Sequence, residues 1–218
     1  MGRLKLSQDE IDKLVVVDRI SAEPTVCGAG LNDVAFQNWV NGRQIWQYKL
    51  WHGMLVRCFC EKFKSRRPTY KDVLLCEEWL SFANFLEWCN KEVGYKGRQG
   101  GMELDKDLII KGNKVYSSAA CSFVPEVVNN LLVSCNSARG EWPVGVRLHK
   151  RSGKFDARMS CGNGNPKYLG LFLTPEDAFA AYKIAKEAQI RVVALQYKNM
   201  LKPAVFESLM NWEILSDD

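Results

Sequence analysis

Long apolar runs are missing from this sequence. Those present, such as Leu14–Val17 and Leu131–Val133, fall far short of the roughly 18–20 residues that a membrane-spanning helix needs, and this excludes one. The opening residues, Met1-Gly-Arg-Leu-Lys-Leu-Ser, contain no apolar segment of a secretory leader, and Leu6 breaks the myristoylation pattern. A cytoplasmic location with no membrane partner is therefore expected. Histidine is scarce: His52 and His149 are the only two. No cysteine has a histidine placed beside it by sequence, which argues against a cysteine nucleophile. The Gly-x-Gly at Gly28–Gly30 neither follows a strand nor opens a βαβ unit, so it is no phosphate-binding loop. The eight cysteines also lack paired zinc-ligand spacing. Cys58, Cys60, Cys76 and Cys89 could be gathered as four zinc thiolates, but they read better as buried, reduced thiols.

What is present is a globular composition, 47% hydrophobic and 25% charged over 218 residues. The net charge of +5 is modest, yet it is unevenly spread. From Asn41 to Lys71, eight basic residues face only Glu61; from Arg139 to Lys167, seven face Glu141 and Asp156. Two basic stretches point to two contact regions on a polyanion; two solvated faces are the alternative.

Periodicity and caps predict an α+β chain. Ser7 and Glu10 form a capping box for an amphipathic helix reaching Ile20. A second helix places Trp46, Leu50, Met54, Leu55 and Cys58 on one stripe, and a third runs from Ser81 to Lys91. Between them, Ser65-Arg-Arg-Pro-Thr reads as a basic loop. The Gly-rich stretch 94–102 reads as a loop, followed by a strand at Glu103–Ile110, a turn at Lys111–Lys114, a strand at Cys121–Val124 and a helix from Pro125 to Leu132. That order is a ββα unit. Alternation then gives three antiparallel strands. Val146 and Leu148 face inward in the first, Phe155, Ala157 and Met159 in the second, and Leu169, Leu171 and Leu173 alternate in the third. Arg147, His149, Lys154, Asp156 and Arg158 then point outward. Arg151-Ser-Gly-Lys and Cys161–Pro166 are the turns, and Thr174-Pro-Glu-Asp starts a long helix carrying Ala178 to Val192, packed on one face of the sheet. Lys202-Pro203 ends it, and a last short helix runs to Trp212.

The stretch from Val144 to Ala188 resembles the APETALA-two type of DNA-binding domain. The matching elements are Gly145-Val146-Arg147, Gly153-Lys154-Phe155-x-Ala157-Arg158, Leu169-Gly170-x-Phe172-x-Thr174-x-Glu176-x-Ala178 and Ala181-Tyr182-x-x-Ala185. The resemblance implies a sheet laid in the DNA major groove, with Arg147, His149, Lys150, Arg151, Lys154 and Arg158 as contact residues. Double-stranded DNA is the partner it implies, and a β-ribbon fits that groove.

Residues 50–132 are similar to the HNH-type, or ββα-metal, endonucleases carried by podophages. The likeness rests on Trp51-x-x-Met54-Leu55-x-Arg57-Cys58, Pro68-Thr69-Tyr70, Cys76-x-x-Trp79-x-Ser81-Phe82-x-Asn84-Phe85 and Leu104-Asp105-Lys106-Asp107. It continues in Gly112-Asn113-x-x-Tyr116-Ser117, Cys121-x-Phe123-Val124-Pro125 and Asn129-Asn130. It implies Asp105 as a metal ligand, Lys106 at the position of the family's base histidine, Asn113 as the loop residue that orients that position, and Asn129 as a second ligand. Oxygen donors of this kind suit Mg²⁺ or Mn²⁺. Arg57, Lys64, Arg66 and Arg67 would hold the DNA backbone beside them. Read without the resemblance, Asp105 and Asp107 are turn carboxylates, and Asn129 and Asn130 cap or face solvent.

The whole implies a helical N-terminal part leading to an HNH-like unit, then a three-stranded antiparallel sheet packed on one helix. The expected domains are an N-terminal helix and loop (1–35), an endonuclease domain (36–136), a DNA-binding domain (137–200) and a C-terminal helix (201–218). The function expected is a phage-type, metal-dependent DNA endonuclease acting in the cytoplasm of an infected bacterial host. The alternative is a degenerate relative that binds DNA or a host protein.

Overall fold

The computed structural model describes residues 2–92, 101–132, 141–160 and 166–217, and is mixed α and β. Most of the Gly-rich stretch 94–102, the turn after Met159 at residues 161–165, and the expected domain boundary at 136/137 lie outside the described residues. No helix among those described is long and apolar enough to cross a membrane. The chain forms two compact units, Met1–Val124 and Pro125–Asp218.

The first unit opens with α1 (Gln8–Asp12), far shorter than the helix expected to reach Ile20. Its start is as read: Ser7 and Glu10 form the capping box. It stops early for two reasons. Val15, Val16 and Val17 are β-branched and resist helix. The Asn90 side chain also donates to the carbonyls of Ile11 and Leu14, at 2.7 and 3.1 Å, satisfying the helix end from outside. Next comes a hairpin, β1 (Trp39–Val40) and β2 (Arg43–Gln44), closed by Asn41 and Gly42 with φ of 50° and 74°. An Asn-Gly pair is the sequence that such a primed turn favours.

The main helices are α2 (Trp46–Phe59) and α4 (Phe82–Lys91), separated by α3 (Glu61–Arg66). The basic segment expected to be a loop at Ser65 is therefore helical up to Arg66. The buried stripe of α2 is turned from the one expected, with Tyr48 and Trp51 fully engaged and Trp46 and Leu50 at the core's edge. Trp51 lies under Trp79, to whose carbonyl its indole donates at 2.7 Å. Helix α4 buries Phe82, Phe85, Leu86 and Cys89, as its spacing predicts. Its start is fixed by buried Asp33, which accepts from the Ala83 amide (2.9 Å) and the Ser81 hydroxyl (2.7 Å). Two small sheets complete the unit: β3 (Leu74–Leu75) runs parallel to β5 (Val115–Tyr116), and β4 (Met102–Asp105) pairs with β6 (Ser122–Pro125).

The second unit begins with α5 (Glu126–Leu131) and then builds the antiparallel sheet β7 (Val146–His149), β8 (Lys154–Met159) and β9 (Lys167–Phe172) in that order. Helix α6 (Pro175–Gln196) starts at Thr174, whose hydroxyl accepts from the Asp177 amide, and it packs on the sheet through Ala178 and Tyr182. Helix α7 (Pro203–Met210) lies against α6. Val146 and Ala157 form the small core with Ala178, flanked by Phe155, Leu169 and Phe172.

The third strand departs from the alternation expected. A bulge between Ala157 and Arg158 pairs Ala157 with Gly170 but Arg158 with Tyr168. One residue of β9 is thereby gained, so Leu169 and Phe172 share the core, whereas Leu171 and Leu173 are exposed. Leu148, expected inside, is also exposed, as is Val192 on α6.

Candidate functional site

Strand β4 ends where Asp105 turns the chain. Its Oδ1 accepts from the amides of Asp107 (2.7 Å) and Leu108 (2.8 Å). This side-chain-to-backbone turn replaces the further strand residues expected up to Ile110. Asn113 clasps the loop from the other side. Its amide nitrogen donates to the carbonyls of Lys106 (2.8 Å) and Val115 (2.7 Å), and its oxygen accepts from the Val115 amide (3.2 Å). Lys106 answers by donating to the Asn113 carbonyl at 3.2 Å and pairing with Asp107. Asp105, Lys106 and Asn113 therefore belong to one closed loop between β4 and β5.

Tyr116 lines this loop, a residue that sequence reasoning gave no role. The cations of Arg57 and Lys106 lie 5.7 and 5.8 Å from its ring centre. Both separations are within cation–π range. Burial pushes the Tyr116 hydroxyl well above its usual pKa, and nearby Arg57 offsets this in part. Burial likewise pushes the Cys121 thiol up to about 12 and the Cys58 thiol up to about 11, so both stay protonated near neutrality. That is the buried-thiol reading of Cys58. Burial also raises the pKa of Asp105, against the two amide hydrogen bonds that favour its ionised form.

The other expected contacts of the first unit sit on α2 and α3. Arg57 is half-buried against Tyr116, and Lys64 is half-buried on α3. Arg66 and Arg67 are exposed where α3 ends. Asn129 lies half-buried on α5, in the second unit.

In the second unit the sheet face away from α6 carries the remaining basic residues. Register sets Arg147 opposite Asp156 and His149 opposite Lys154. Lys150 and Arg151 are exposed in the turn closed by the Ser152 and Gly153 amides on the His149 carbonyl, each at 3.0 Å. His149 Nδ1 lies 2.8 Å from the Ser152 hydroxyl. Asp156, expected to point outward, does lie on this face but is 5% exposed, with Arg158 Nε on its carboxylate at 2.5 Å.

Compared with models of protein families, with curated proteins and with solved structures, the chain matches none. Among the described residues, no group of three or more His, Cys, Asp or Glu side chains is placed to hold a metal. A magnesium-type ion needs less than such a cage, because one or two carboxylates with waters and substrate phosphates suffice. Asp105 meets that demand. Oδ1 is engaged by two amides, Oδ2 has no hydrogen-bond partner among the described residues, and a nearby divalent ion would favour the ionised carboxylate that burial disfavours.

Proposed function

We propose that the chain is a metal-dependent DNA endonuclease, with its phosphodiester-cleaving site at Asp105–Asn113 and duplex DNA held by the basic face of β7–β9. The observation that carries this reading is the mutual clasp of Lys106 and Asn113 next to the Asp105 carboxylate. It fixes one residue's backbone from across the loop between β4 and β5 while a desolvated carboxylate stands at the strand end. Such fixation is what positioning a reacting group requires.

Asp105 is the residue of the first unit that would hold Mg²⁺ or Mn²⁺. When bound, such an ion stabilises negative charge developing on a phosphoryl group. Lys106 and Arg57, gathered on Tyr116, add fixed positive charge beside the loop, where a phosphate oxygen is favoured. Asn113 keeps that loop closed. Arg66 and Arg67 neutralise backbone phosphates without reading sequence. Phage origin and action in the cytoplasm of an infected host belong to the same proposal and rest on the resemblance alone.

A second reading is favoured by one specific observation. The Lys106 ammonium pairs with Asp107 and donates to the Asn113 carbonyl, so it stands as a cation where a nuclease of this kind uses a base. A chain that binds DNA, or a host protein, without cutting would keep the same loop. Plasmid nicking with Mg²⁺ and Mn²⁺ separates the two. Cleavage by the wild type that Asp105→Ala abolishes, with DNA affinity retained, supports the endonuclease. Binding without cleavage at any metal concentration supports the second reading.

A further inference from the structure

The basic face of the β7–β9 sheet contains one acidic residue, and it sits under the cations. Asp156 is on the central strand, directly opposite Arg147 on β7. It is 5% exposed on a face that otherwise bears exposed Arg147, His149, Lys154 and Arg158. A carboxylate there opposes every phosphate that the face attracts, so its presence calls for a specific role.

That role is visible at Arg158. Its Nε donates to Asp156 Oδ2 at 2.5 Å, and its guanidinium carbon lies 5.7 Å from the Tyr168 ring centre, across the strand pair set by the bulge. One edge of the fork is thus occupied and one flat side is packed. The Nη1/Nη2 edge is what remains, on a side chain still 43% exposed. Arg147 differs: among the described residues its side chain has no hydrogen bond or ion pair. The face therefore carries one arginine held by two neighbours and one whose side chain has no hydrogen-bond or ion-pair partner among the described residues. A guanidinium held in one orientation loses less freedom when it forms two parallel hydrogen bonds, the geometry that recognises guanine O6 and N7. An arginine side chain without such partners suits phosphate, which tolerates many approaches.

We propose that Arg158 is the guanine-reading residue of this face and Asp156 its positioning residue, with Arg147 serving the backbone. The proposal rests on the DNA-binding reading above. It assigns to Asp156 a trade of affinity for discrimination.

The test uses the full-length protein and a pool of duplexes with a randomised core, followed by Kd measurements on one enriched and one unenriched duplex. Wild type is expected to enrich a guanine position. Asp156→Asn keeps the shape but removes the charge. It should bind the unenriched duplex more tightly while the preference for the enriched one falls roughly tenfold, the scale of one lost bidentate contact. Arg158→Lys should lose the same preference with little change on the unenriched duplex. The double variant should lose no more than either single one, since both changes act on one contact. Should Arg147→Lys erase the preference while Asp156→Asn leaves it intact, the assignment is overturned and the DNA-binding reading stands. An equal loss on both duplexes in Asp156→Asn marks Asp156 as structural only and also overturns it. If wild type shows no salt-sensitive binding to the pool, the DNA-binding reading falls and the assignment goes with it.

Discussion

The ring of Tyr182 on α6 lies against the backbone of Gly145 so closely that a Cβ there would sit 2.1 Å from the ring's Cδ2. Gly145 also has φ of +78°, which side chains with a Cβ resist. The two residues fix where the helix meets the start of β7, and so the level at which Arg147 is presented. Gly145→Ala should destabilise the second unit by about 3 kcal/mol or more, combining backbone strain of about 1–2 kcal/mol with overpacking of about 1–3 kcal/mol. Gly153 provides the control. It has φ of +68° but open space around it, so Gly153→Ala should cost only the backbone part. Urea unfolding midpoints of the two variants check the difference; equal losses would show that the Tyr182 contact yields.

Arg66 ends α3 and Arg67 follows it, both exposed, in the Ser65–Thr69 segment that the sequence alone presented as a loop. If both meet phosphate, replacing each with alanine should flatten the slope of log K against log salt by about 0.9 per residue. Titrations of one duplex from low to moderate salt measure it. An unchanged slope in the double variant would leave both residues as a solvated face.

The helix caps, the meander and the buried face of α4 were legible because each is written locally. Ser7 with Glu10, Thr174 with Pro175, and Phe82 with Phe85 and Cys89 need no distant partner to be read. The bulge was not legible. Perfect alternation of Leu169, Leu171 and Leu173 predicts one face, and only the pairing of Arg158 with Tyr168 shifts it. The parallel pair β3–β5 spans two residues on each side and is set by the fold around it. At the candidate site, Asp105 and Asn113 were singled out by the family resemblance; read on their own, they were only turn residues. Tyr116 was not, because its cations arrive from α2 and from the loop. The Asn41-Gly42 turn was a local signal that went unread.

Asp105 gives a pH prediction with a definite sign. Burial raises its pKa in the folded chain, so its favourable contribution is complete below the unfolded value of about 3.9 and is lost as pH rises through the folded value. Near pH 7 the ionised carboxylate costs stability. Asp105→Asn keeps an oxygen for the Asp107 and Leu108 amides and removes that cost. The variant should therefore melt above wild type at pH 7, and the gap should close as pH falls toward 4. Adding Mg²⁺ at pH 7 should raise the wild-type melting temperature and leave the variant unmoved. A gap independent of pH would remove the charge from the explanation.

The clasp between Lys106 and Asn113 yields the sharpest test of chemistry. Asn113 makes three hydrogen bonds to loop backbone, so Asn113→Ala should destabilise the first unit by roughly 2–3 kcal/mol, at about 1 kcal/mol per bond. Its effect on cleavage depends on what occupies position 106. Lys106→His replaces a paired cation with an imidazole whose ordinary pKa is near 6.5. A general base contributes roughly 10²–10⁴-fold when it is well placed. If a missing base is what limits the wild type, Lys106→His should raise the Mg²⁺-dependent nicking rate, most strongly near pH 7–8, where the imidazole is neutral. The gain needs the backbone of residue 106 to be held, and Asn113 holds it. Asn113→Ala added to Lys106→His should therefore cancel the gain, assayed at a temperature where the double variant remains folded. Single-turnover nicking rates across pH measure both effects. If Lys106→His stays as slow as wild type at every pH while Asp105→Ala still abolishes cleavage, the base lies elsewhere and the loop serves only to position the carboxylate.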